Sequence, residues 1–95
     1  MNRNENPTAV NILELMVKNP YNINIPLEEF YRVINHFYGA DRAAFDEALA
    51  LLDEQNIVEF THTAAGDIET VVAVTEKGES FAVFLIPLHT YGLKQ

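Results

Sequence analysis

Three histidines, a single serine and fourteen carboxylates supply most of the side chains in this sequence that acid–base, nucleophilic or metal chemistry could recruit. Their spacing argues against each use. None of His36, His62 and His89 has another His or a carboxylate three or four residues further on, the interval at which a helix aligns two metal ligands. They read as surface or core-edge residues, and no metal is expected. Ser80 stands outside any G-x-S-x-G elbow, and the absence of Cys removes both a thiolate nucleophile and a thiolate ligand for zinc. With four glycines, the chain holds neither a G-x-x-x-x-G-K-S/T nor a G-x-G-x-x-G phosphate loop. No cofactor is expected, and the chain reads as a binding protein, not an enzyme.

The carboxylates carry a different message. Asp and Glu total 14 against 6 Lys and Arg, a formal charge of −8 with a pI of about 4.6. Affinity for nucleic acid comes largely from cations that neutralise phosphates, so this balance favours protein partners. The 95 residues, 48% hydrophobic, suit one domain with a modest core, residues 1–95. The polar start "MNRNENPTAV" lacks the apolar centre of a signal peptide. The most apolar run, "FAVFLIPL", is interrupted by Pro87 and falls far short of the roughly 20 residues that span a bilayer. Together with the absence of Cys, this leads to the expectation of a soluble, cytoplasmic protein.

The elements that would position these groups follow from periodicity and caps. Asn6-Pro7 reads as a helix cap followed by Pro at the first helical position, with Ala9, Ile12, Leu13, Met16 and Val17 on one face and Asn19-Pro20 as the stop. "YNINI" (21–25) reads as a very short strand or a linker. Pro26 opens a second helix whose Leu27, Phe30, Tyr31, Ile34, Phe37 and Tyr38 make a broad apolar face, with Tyr31 and Tyr38 reaching the surface. Glu28 and Arg32 make an i, i+4 pair on its other side, and Gly39 ends it. Asp41 caps a third helix that buries Ala44, Phe45, Ala48, Leu49 and Leu52 and ends at Asn56. The period then changes to two. "IVEFTHT" places Val58, Phe60 and His62 on one face, "AAGD" makes the turn, and "DIETVVAVT" places Ile68, Thr70, Val72 and Val74 on one face. Thr75 caps a final helix running to Pro87, and Gly78 in its first turn lets it approach the sheet.

Two stretches, "EALALLDEQNIVEF" (47–60) and "VTEKGESFAVFL" (74–85), resemble the third helix of a winged-helix domain entering its first wing strand and the second wing strand entering the closing helix. The resemblance covers nearly the whole chain. It implies an α+β fold: a three-helix core, a two-stranded hairpin wing and a closing C-terminal helix. In DNA-binding members the third helix enters the major groove and the wing touches phosphates with Arg and Lys. Here that helix instead carries Asp41, Asp46, Glu47, Asp53 and Glu54, with Arg42 its only cation, and the wing turn carries Asp67 and Glu69 and no cation. The expectation is a small acidic winged-helix protein acting through protein contacts, as an adaptor, a regulator of transcription machinery or a phage-type inhibitor of a host factor. The alternatives are a dimeric DNA-binding regulator, with Arg42 as its base contact, and a structural subunit of a larger assembly. Winged helices often dimerise through terminal helices, which makes Phe84, Leu85, Leu88 and Tyr91 the candidate homodimer contacts.

Overall fold

The computed structural model of the chain describes residues 6–18 and 23–85. Its order is α1 (Pro7–Val17), β1 (Ile25–Pro26), α2 (Leu27–Tyr38), α3 (Arg42–Glu54), β2 (Val58–His62), β3 (Ile68–Val74) and α4 (Glu76–Leu85). The architecture is α+β, with four helices around a three-stranded antiparallel sheet in the order β1-β3-β2.

Most element ends are set by local chemistry. The Asn6 side chain accepts the Ala9 N–H at 3.0 Å and Pro7 occupies the first helical position of α1. Gly39 ends α2 at φ 69°, where a left-handed backbone costs glycine little, and its N–H returns to the Asn35 carbonyl at 2.8 Å. Asp41 accepts the Ala44 N–H at 2.8 Å and starts α3. Asn56, at φ 59°, turns the chain out of α3 and delivers Ile57 to the core.

The hinge into α4 is tied on both sides. Thr75 Oγ1 accepts the Gly78 N–H at 3.0 Å and donates to the Asn56 carbonyl at 2.7 Å, with that of Ile57 at 3.0 Å. The Thr75 N–H also donates to the Ile57 carbonyl, at 3.0 Å. Gly78 lies directly on this corner. A Cβ there would overlap the Ile57 carbonyl oxygen and stand 2.7 Å from Val74 Cγ1, so glycine is what allows α4 to seat against the sheet.

The core is wholly apolar among the described residues. Ile12 and Leu13 of α1, Phe30 and Ile34 of α2, Phe45, Leu49 and Leu52 of α3, and Ile57, Val58 and Val71 are all essentially out of solvent. One open expectation is decided and two change. Of the two readings of the stretch before α2, the very short strand holds at its end, because Ile25 and Pro26 pair with Val71 and Thr70 of β3; Pro26 is tolerated there because β1 is an edge. The inward face of β3 is Val74, Val71 and Ile68, opposite Val58, Phe60 and His62, and not the alternating set Ile68, Thr70, Val72 and Val74. Register shifts at Glu59/Phe60 and at Thr61/His62 each put one extra residue into β3, and an extra residue reverses the side to which the following side chains point. Phe37, expected on the buried face of α2, is 64% exposed, so the α2 core contact is carried by Phe30 and Ile34.

Candidate functional site

The third helix presents the charged residues on which the functional reading turns. Arg42, at its first turn, is held from three directions. Its terminal nitrogens Nη1 and Nη2 donate to the two Glu28 oxygens at 2.9 and 3.0 Å, a bidentate pair joining α3 to the start of α2. Its Nε donates to Asp46 Oδ1 at 2.9 Å, one turn further along α3. The guanidinium also lies 5.1 Å from the centroid of Tyr31 and 5.7 Å from that of Phe45. Glu28 therefore pairs with Arg42 and not, as its spacing suggested, with Arg32. Arg42 is a brace between two helices, with each of its three nitrogens donating to a carboxylate.

The brace leaves a mark on titration. Hydrogen bonding to Arg42 is the main cause that holds the Glu28 carboxyl below its ordinary value of 4.5, and it holds the Arg42 guanidinium still more firmly protonated. The stabilisation from a depressed carboxyl is present above its unfolded value and disappears as pH falls through the lowered folded value. Arg42→Gln should return Glu28 upward towards the ordinary glutamate range. An NMR pH titration of the Glu28 side-chain carboxyl reads this directly, and an unmoved titration would mean that the brace does not form in solution.

Beside the brace, α3 and the β2–β3 turn enclose an open groove of about 510 Å³. One wall is the α3 stripe Arg42, Asp46, Leu49, Ala50, Asp53 and Glu54, which recurs at helical spacing; the other is Gly66, Asp67 and Ile68, with Leu27 joining from α2. Gly66, at φ 94°, turns the hairpin, and its N–H donates to the Thr63 carbonyl at 2.9 Å. The rim holds four carboxylates against one guanidinium, and that guanidinium is already paired. Asp53 Oδ2 lies 2.8 Å from His62 Nε2, so a histidine nine residues away contacts the acidic stripe. Sequence spacing shows no sign of this pair, because it crosses from a helix end to a strand.

The five acidic residues expected on α3 are thus sorted by the fold. Asp46, Asp53 and Glu54 line the groove, joined by Asp67 from the turn. Asp41 does not line it and acts as the α3 cap, and Glu47 projects to solvent elsewhere on the helix. Of the expected dimer contacts, Phe84 and Leu85 belong to the last turn of α4, but their side chains, like Leu88 and Tyr91, lie outside the described residues. Elsewhere Lys18 approaches Glu14 at 3.9 Å, and Arg32 and Lys77 are exposed. Among the described residues no helix is long and apolar enough to cross a membrane, and no group of three or more His, Asp or Glu is arranged to hold a metal ion. Comparison with known protein families, with characterised proteins and with solved structures finds no match.

Proposed function

We propose that this chain is an acidic winged-helix protein that works by binding a basic protein partner through α3 and the adjoining hairpin turn. The element order and the strand order β1-β3-β2 support the winged-helix reading, with β2 and β3 as the wing. The observation that carries the functional part is the state of Arg42. It is the one cation lining the α3 groove among the described residues, and Glu28, Asp46 and two aromatic rings engage it. What remains towards a partner is carboxylate, which repels phosphates and attracts Lys and Arg. Acting as an adaptor, as a regulator of transcription machinery or as an inhibitor of a host factor would each use such a face.

Glu47, Glu54 and Asp67 make no side-chain hydrogen bond or ion pair with other described residues, so replacing them with Lys disturbs the fold least. In affinity capture from an extract of the source cell, the Glu47→Lys/Glu54→Lys/Asp67→Lys variant should retain at most a tenth of the partner held by the wild type. Duplex DNA titrated at low salt should show no binding to the wild type. An unchanged set of captured proteins would defeat the reading, and salt-sensitive DNA binding that disappears with Arg42→Ala would replace it with the regulator alternative.

A further inference from the structure

We infer that the groove between α3 and the β2–β3 turn is a docking site for an extended peptide segment that carries one apolar anchor residue flanked by Lys or Arg. This rests on the reading of a basic protein partner and goes beyond it in assigning the place and the chemistry of contact. The groove has two chemistries in one volume. Leu27, Ala50 and Ile68 supply apolar surface over the buried Leu49, with Ala50 exposed on the helix, while Asp46, Asp53, Glu54 and Asp67 surround it with carboxylates. Its volume of about 510 Å³ falls within the range of about 300–1,000 Å³ common to pockets that enclose a ligand.

Charge selects the occupant. Arg42 has its guanidinium matched by Glu28 and Asp46, so it offers little to an acidic or phosphorylated segment. Glu54 and Asp67, one on each wall, have no side-chain partner among the described residues, and a cation on either side of the anchor would meet one of them. A purely basic segment would leave the apolar surface wet, and a purely apolar one would bury carboxylates without partners. The segment that satisfies both is amphipathic at short range. Its length follows from the wall: Arg42 to Glu54 spans roughly 18 Å of helix at about 1.5 Å per residue, matched by about 5–6 extended residues.

The test uses the whole chain and random 12-residue peptides displayed on phage, selected at physiological salt and then synthesised for fluorescence anisotropy. The expected winners carry Lys or Arg beside Leu, Ile, Met or Phe. Replacing the apolar residue with Ser should weaken binding tenfold or more, as should Ala50→Trp, which fills the groove without altering charge, and Glu54→Lys/Asp67→Lys. The Ser peptide reads the groove even if Ala50→Trp perturbs the fold. If binding falls with Glu54→Lys/Asp67→Lys but ignores both the Ser peptide and Ala50→Trp, the groove assignment is overturned and the acidic-face reading stands. If the winners lack basic residues, or none is enriched over the charge-reversed protein, both fall.

Discussion

Gly78→Ala should lower the melting temperature of this protein by roughly 4–24 °C. In an exposed helix interior the same change would stabilise by about 1 kcal/mol, because alanine is the better helix former. Here the sign reverses. The added methyl overlaps the Ile57 carbonyl oxygen, a backbone atom that also accepts the Thr75 N–H, and it crowds Val74 Cγ1. Neither neighbour is the free end of a flexible side chain, so relief requires α4 to lift from the corner. Overpacking of this kind costs about 1–3 kcal/mol or more, and each kcal/mol moves the melting point of a domain this size by about 4–8 °C. Thermal unfolding by circular dichroism decides it. A variant as stable as the wild type would show that α4 does not seat where Gly78 places it. Gly39→Ala is the informative contrast: nothing lies within 4 Å of a Cβ there, and its cost comes from the positive φ alone.

Phe45→Ala should cost about 3–5 kcal/mol, a large share of the roughly 5–15 kcal/mol that holds a domain together. Phe45 is fully buried at the meeting of α2 and α3. Its ring centroid lies 6.0 Å from that of Phe30 and 5.1 Å, edge-on, from that of Tyr31. On its outer side it is half of the aromatic platform under the Arg42 guanidinium. Truncation therefore opens a cavity and loosens the brace that occupies the one cation of the groove. Urea unfolding measures the loss, and Phe45→Leu, which keeps most of the volume, should lose markedly less. Equal losses for Ala and Leu would mean that ring packing, not volume, dominates; a loss below about 1 kcal/mol would mean that the site is not a core.

The two predictions differ in how visible their grounds are in the sequence. Thr75 as a cap is legible locally, because a helix start needs an oxygen for its orphan N–H groups; the close packing of Gly78 is not, since it is set by the distant Ile57 carbonyl. The caps at Asn6 and Asp41 and the left-handed Gly39 and Asn56 are legible for the same reason: donor and acceptor, or the residue and its φ, lie within a few positions. Phe45 is legible as buried from its helical period. Its part in holding Arg42 is not, since that needs Tyr31 and Glu28 from another helix.

Arg42 shows the consequence most plainly. In the sequence it is the lone cation of an acidic helix, open to a base or to solvent. In the fold it is closed by a carboxylate fourteen residues earlier. β3 makes the same point in the backbone: its composition alternates, but its inward face is Val74, Val71 and Ile68, because the strand beside it imposes two register shifts. The sequence by itself determined the net charge, the helix ends and the change of period from helix to strand, all properties of a residue and its near neighbours; the need for glycine at position 78 came from the Ile57 carbonyl, 21 residues away. Only the tertiary structure decided which carboxylates share a groove, which cation is already matched and which strands pair. Those outcomes depend on packing between elements distant in the chain, and no spacing rule along one element encodes them.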